Sequence, residues 1–159
     1  MQSIKITFVS KLTRFNLDNH IYFVTSKTKN NQPIFLNQSH AELFIQTLFD
    51  CRDKYGFLLL GFVVMPDHFH ALIVPKQGYK IESVVQKIKS IFAYRIRDLG
   101  IKGSVWQKSF YDFVVYSEEK CREKLNYMHT NPVRKGMADD PTDYRFSSIS
   151  YLAKMDIID

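Results

Sequence analysis

The stretch FLLLGFVVMPDHFHALIVP, Phe57–Pro75, decides the fold. Two apolar runs, Phe57–Met65 and His68–Val74, flank Pro66 and Asp67. Both runs are apolar almost throughout, and Pro-Asp is turn chemistry. The stretch therefore reads as two adjacent, largely buried strands joined by a tight turn. Upstream, His20–Thr28 (HIYFVTSKT) reads as a strand closed by the polar Asn30–Pro33. Between it and the central pair, Ser39 is the expected N-cap of a helix with Leu43, Phe44, Leu48 and Phe49 at helical spacing, and Gly56 its stop.

Downstream, Ile81–Leu99 has the clearest helical period: Ile81, Val84, Val85, Ile88, Ile91, Phe92, Ile96 and Leu99 line one face, and Gly100 ends it. Phe110–Tyr116 reads as a short strand. Ser117 caps a third helix, with Glu118 and Glu119 in the first turn, where the helix dipole favours acids. Pro132 is expected to end it near Asn131. The first six elements run strand, helix, strand, strand, helix, strand. That is the split β-α-β order, so the expected class is α+β: a ferredoxin-like antiparallel sheet with its helices on one face. The other face is left for a site or for the third helix. Residues 1–159 read as one domain, with residues 1–18 as a possible N-terminal arm and 137–159 as a C-terminal tail.

The bulk numbers agree. The chain has 159 residues, 45% of them hydrophobic and 14% aromatic, enough apolar surface to exclude disorder as the main state. Its 22 basic and 16 acidic residues leave a net charge of +6, which suits a polyanionic partner. Cys51 and Cys121 form no CxxC pair, which argues against a disulfide framework and a cysteine zinc site. No apolar run approaches membrane-spanning length, so a cytoplasmic setting without a membrane partner is expected.

Two constellations carry chemistry. His68-Phe69-His70 puts two imidazoles on one face of a strand, where they can share a metal ion. The same spacing also suits two strand-edge histidines satisfied by hydrogen bonds or water. In NYMHTNPVRKG, Asn126–Gly136, Tyr127 and Asn131 are one helical turn apart, with Lys120 and Lys124 near the same side; Cys121, Leu125 and Met128 form the opposing apolar stripe. A tyrosine anchoring the helix by its ring would look the same. Together the segments suggest more: a metal held by two histidines polarises a phosphoryl oxygen, a tyrosine attacks phosphorus, Asn131 adds a ligand oxygen, and Lys120 or Lys124 stabilises developing charge. Lys87, Lys89, Arg95 and Arg97 on the second helix are candidate phosphate contacts, although each also suits a solvated helix face.

GFVVMPDHFHALIVP resembles the signature of the REP-associated tyrosine transposases. These are single-strand transposases with a histidine–hydrophobe–histidine motif and one catalytic tyrosine. WQKSFYDFVVYSEEKCREKLNYMHTNPVRKGM, Trp106–Met137, is similar to the family's second block, and DYRFSSISYLA, Asp143–Ala153, to its ending. The resemblance implies a ferredoxin-like endonuclease that cuts and rejoins single-stranded DNA near hairpins, using Mg²⁺ or Mn²⁺. It implies His68 and His70 as metal ligands, Tyr127 as a nucleophile leaving a 5′-phosphotyrosine and a free 3′-OH, and Asn131 where relatives place a polar third ligand. It also implies a nucleoid-associated protein acting as a monomer or a homodimer. A different class, a non-catalytic RRM-like module binding single-stranded nucleic acid, would share strand order, charge and aromatics, but neither central run contains the RRM signature. A metal-dependent hydrolase using the histidine pair alone would leave Tyr127 without a role.

Overall fold

The computed structural model describes residues 20–157. The possible arm at residues 1–18 lies outside the described residues. Four strands form one antiparallel sheet: β1 (Ile21–Lys27), β2 (Leu58–Met65), β3 (His68–Val74) and β4 (Tyr111–Val115), in the order β2-β3-β1-β4. α1 (Gln38–Tyr55) links β1 to β2, and α2 (Ile81–Arg95) links β3 to β4. This is the ferredoxin-like arrangement expected from the order of elements. α3 (Glu118–Arg134) follows β4.

The sheet is buried on both faces because its two side-chain rows differ in partner. On β3, Phe69, Ala71 and Ile73 join Phe44, Leu48, Val85, Ile88 and Phe92 of α1 and α2 in one core. The alternate residues, including Leu72 and Val74, join Ile21, Phe23, Val115, Cys121 and Met128 in a second core with α3. Strand alternation thus delivers His68 and His70 to the α3 side. Gly61 lets α3 come close: a Cβ there would lie 2.5 Å from Leu125 Cδ2 and 3.1 Å from Met128 Cε. The outer edge of β2 is covered by the C-terminal segment. Ser148 Oγ accepts from the Phe62 amide, the Phe146 carbonyl from the Val64 amide, and the Asp156 carboxylate from the Leu59 amide.

Three local expectations are corrected. The N-cap of α1 is Asn37, whose Oδ1 accepts from the Ser39 amide, so Ser39 lies inside the first turn. Leu99 is 46% exposed, because the chain tightens to a 3-10 turn from Ile96 and its angular phase drifts off the apolar line. α3 does not stop at Asn131 but continues through Pro132 to Arg134. Proline removes only its own N–H, and the next turn closes normally, with Lys135 N–H on the Asn131 carbonyl and Gly136 N–H on that of Val133.

Candidate functional site

The site forms where β3, β1 and α3 meet. The His68 and His70 rings are 4.8 Å apart between centroids. Each uses Nδ1 on a neighbour: His68 Nδ1 is 2.6 Å from Asp67 Oδ1, and His70 Nδ1 is 2.7 Å from Thr25 Oγ1. Asp67 comes from the β2–β3 turn. Thr25 is there because it pairs with His70 in the β1–β3 register. With the proton on Nδ1 in each ring, both Nε2 lone pairs are available, the arrangement that orients imidazoles toward a metal.

Burial dominates the electrostatics of His70, which is 6% exposed. Desolvation first, then the charges of His68, Lys124, Arg134 and Lys27, push its pKa down to about 3. It is therefore neutral near pH 7, the protonation state a ligand requires. Phe23 stacks on it at 5.1 Å and 20°.

α3 lays Tyr127 across this group. Its ring meets that of His70 at 5.5 Å and 71°, and that of Phe23 at 6.1 Å and 80°, while the residue stays 41% exposed. The ring is anchored by these contacts, yet the residue stays open to solvent. Lys124 Nζ lies 4.7 Å from the Phe23 ring, 4.8 Å from that of Phe113 and 5.9 Å from that of Tyr127. The Arg134 guanidinium carbon is 4.5 Å from the Tyr127 centroid. Asn131, one turn beyond Tyr127, is buried at 3% exposure. Beyond His68 opens a cleft of about 480 Å³ lined in part by Lys27, Asn31, Asp67 and Lys135.

Other tyrosines fit a nucleophile less well. Tyr144 is buried, donates to the Val64 carbonyl at 2.5 Å and is pushed to about 12 by desolvation. Tyr111 sits opposite Thr25 on β4, so β1 separates it from His70.

Some expected site residues are not brought together. Lys120 is tied to Glu123 at 3.0 Å, a bond that raises its pKa and turns its ammonium along its own helix. The four α2-segment cations belong to the helix pair on the opposite face of the sheet. Lys87 bonds Ser83 and lies over Tyr55; Lys89 donates to the Gln107 carbonyl at 2.8 Å; Arg95 pairs with Asp50 at 2.7 Å; Arg97 lies over Tyr94. Conversely, Thr25, Phe23 and Arg134 were not singled out by sequence. Arg134 carried a signal, since it lies two helical turns after Tyr127. Thr25 and Phe23 carried none, because only strand register sets them against His70.

The donor set fits a hard or borderline divalent ion held weakly by the protein. Two imidazole Nε2 atoms share a face, and among the described residues no three His, Cys, Asp or Glu side chains cluster to hold a metal. An amide oxygen such as that of Asn131, or substrate oxygen, would have to complete the shell.

The family model described as "Transposase IS200 like" matches residues 13–131. A REP-associated tyrosine transposase of Escherichia coli (strain K12) is 24% identical over 141 residues, spanning 88% of this chain and 82% of that protein. A relative from Haemophilus influenzae is 22% identical over 152 residues, spanning 86% of this chain and 84% of that protein. The solved structure of a REP-associated tyrosine transposase bound to a REP hairpin superposes with a TM-score of 0.74 at 22% identity, covering 92% of this chain and 87% of that one.

Proposed function

Because the chain belongs to the IS200-like transposase family, we propose that it is a metal-dependent enzyme that cleaves and rejoins single-stranded DNA beside hairpins through a 5′-phosphotyrosine at Tyr127. The observation that carries this reading is the contact of the Tyr127 ring with His70, one of two imidazoles on the same strand face.

His68 and His70 would hold the divalent ion, Mg²⁺ or Mn²⁺, with Asn131 as the proposed third protein ligand. When bound, such an ion polarises a phosphoryl oxygen and stabilises charge on it. The residues do the rest. Asp67 and Thr25 fix the ring orientation of the two histidines, and burial keeps His70 neutral. Lys124 adds positive charge beside the phenol, and Lys27 and Lys135 in the adjoining cleft offer contacts to the flanking backbone. The Tyr127 oxygen attacks phosphorus; the new O–P bond forms as the bond to the 3′-oxygen breaks, and the phenolic proton is balanced by protonation of the leaving 3′-oxygen. Rejoining reverses these bonds with another 3′-OH. Any DNA contact from Lys120 or from Lys87, Lys89, Arg95 and Arg97 would be to strand running away from the reacting phosphate.

The RRM-like module predicts a sheet face open for stacking bases. Here α3 covers one face and α1 with α2 the other. The test is incubation with single-stranded hairpin oligonucleotides and Mn²⁺ or Mg²⁺, read on a denaturing gel. A covalent protein–DNA band is expected, absent in EDTA and in Tyr127→Phe. Tyr127→Phe protein that still cleaved would favour the hydrolase reading, and a band mapped to Tyr111 would move the nucleophile.

A further inference from the structure

Pro132 leaves a gap in α3 close to the reacting tyrosine. A proline has no N–H, so the Met128 carbonyl, four residues earlier, loses its helical donor. Such a gap is where helices kink, and a kink here would tilt Tyr127 relative to the sheet.

Arg134 spans this gap. Its Nη2 donates to the Tyr127 carbonyl at 2.9 Å, seven residues back, and its Nη1 donates to the Thr130 hydroxyl. That hydroxyl in turn donates to the Asn126 carbonyl at 2.7 Å. The same guanidinium lies over the Tyr127 ring at 4.5 Å, the closest of the ring's contacts; His70 at 5.5 Å and Phe23 at 6.1 Å meet it edge to face. One side chain therefore grips both the backbone and the ring of the same residue, from beyond the proline.

We infer that Arg134 is the positioning residue of Tyr127: its fork braces α3 across Pro132 while its guanidinium, lying over the phenol ring, holds that ring against His70 and Phe23. The inference rests on the reading of Tyr127 as nucleophile. The task needs a planar cation with several donors. A lysine carries a point charge and keeps at most one of the two grips.

The experiment compares wild type, Arg134→Ala, Arg134→Lys and Arg134→Gln in single-turnover adduct formation with a hairpin oligonucleotide and Mn²⁺. DNA affinity is measured in EDTA, and tyrosine ring resonances are recorded without DNA. Since a reacting atom misplaced by about 1 Å costs on the order of 100-fold, Arg134→Ala should slow adduct formation about 10- to 100-fold. Its DNA affinity should hardly change, and Arg134→Lys should recover part of the rate. The Tyr127 ring resonances, identified by their loss in Tyr127→Phe, should move in Arg134→Ala, while those of Tyr144 and Tyr151 stay. Arg134→Gln, which keeps an amide N–H able to donate to the Tyr127 carbonyl but loses the cation over the ring, is read in the same way if the alanine variant does not fold. Wild-type rate in Arg134→Ala, unmoved Tyr127 resonances, or affinity falling in step with rate would each overturn the inference. If the wild type forms no adduct with any hairpin, the reading of Tyr127 fails separately, and the resonances still decide whether Arg134 holds the ring.

Discussion

Thr25, a single residue of β1, orients a proposed metal ligand. Its hydroxyl fixes the His70 ring by Nδ1, and partners of this kind typically change metal affinity by about 10- to 100-fold. Thr25→Val keeps the shape and removes the partner. Calorimetric titration with Mn²⁺ should show affinity reduced by roughly that factor, with the thermal unfolding midpoint little altered; unchanged affinity would mean Thr25 does not orient His70. The histidines also set the acid response. Burial lowers the pKa of His70 to about 3 and also lowers that of His129, whose Nε2 is 2.7 Å from Ser148 Oγ. Below the ordinary value of 6.5 the unfolded chain binds protons that the folded chain refuses. Stability from these groups is complete above pH 6.5 and is lost as pH falls toward the folded pKa, by up to about 1.4 kcal/mol per pH unit for each proton. Urea midpoints of the metal-free protein should fall between pH 6.5 and 4, and His129→Gln should flatten the slope. A slope unchanged by that substitution would remove His129 from the account.

At the scale of the element, α3 is placed by packing on β2. Leu125 and Met128 close over Gly61 from either side of Tyr127 in sequence. The atoms nearest an added Cβ are the far ends of flexible side chains, so Gly61→Ala should cost about 1 kcal/mol, the low end for overpacking, and retain the proposed cleavage. Gly61→Val adds two methyls that cannot be absorbed so easily; overpacking of this kind costs about 1–3 kcal/mol, and the helix must move outward. Cleavage should then fall about 10-fold or more as Tyr127 leaves His70. Urea unfolding and adduct yield check both, and a valine variant with full activity would show that α3 is not held by this contact.

For the whole molecule, the His70 and Tyr127 rings meet within one chain. An intrachain contact of this kind can deliver the proposed nucleophile to the proposed ligands of its own chain. Mixing His70→Ala protein with Tyr127→Phe protein should therefore restore no adduct, whatever the oligomeric state. Restored adduct in the mixture, with neither variant active alone, would show that the tyrosine helix is exchanged between copies. Among the described residues, no helix is long and apolar enough to cross a membrane.

The order of elements was legible in the sequence because it is written in local chemistry. Continuous apolar runs around Pro66-Asp67 mark β2 and β3, strands whose side chains alternate between faces, a 3.6-residue period marks α2, and Ser117, whose hydroxyl accepts from the Lys120 amide, marks the start of α3. The same alternation put His68 and His70 on one face, and helical spacing related Tyr127 to Asn131. Which face and which helix were decided only in three dimensions. The β1–β3 register brings Thr25 to His70 across 45 residues, and Gly61 admits α3 so that Tyr127 reaches that ring. The reach of Lys and Arg side chains was equally hidden. Lys124 turns to the aromatic cluster while Lys120, one turn earlier, turns to Glu123. Arg95 is occupied by Asp50, whereas Arg134 folds back over the proline. Charge and spacing are local properties of the chain, but the partner of a long, flexible cation is set by whichever element packs beside it.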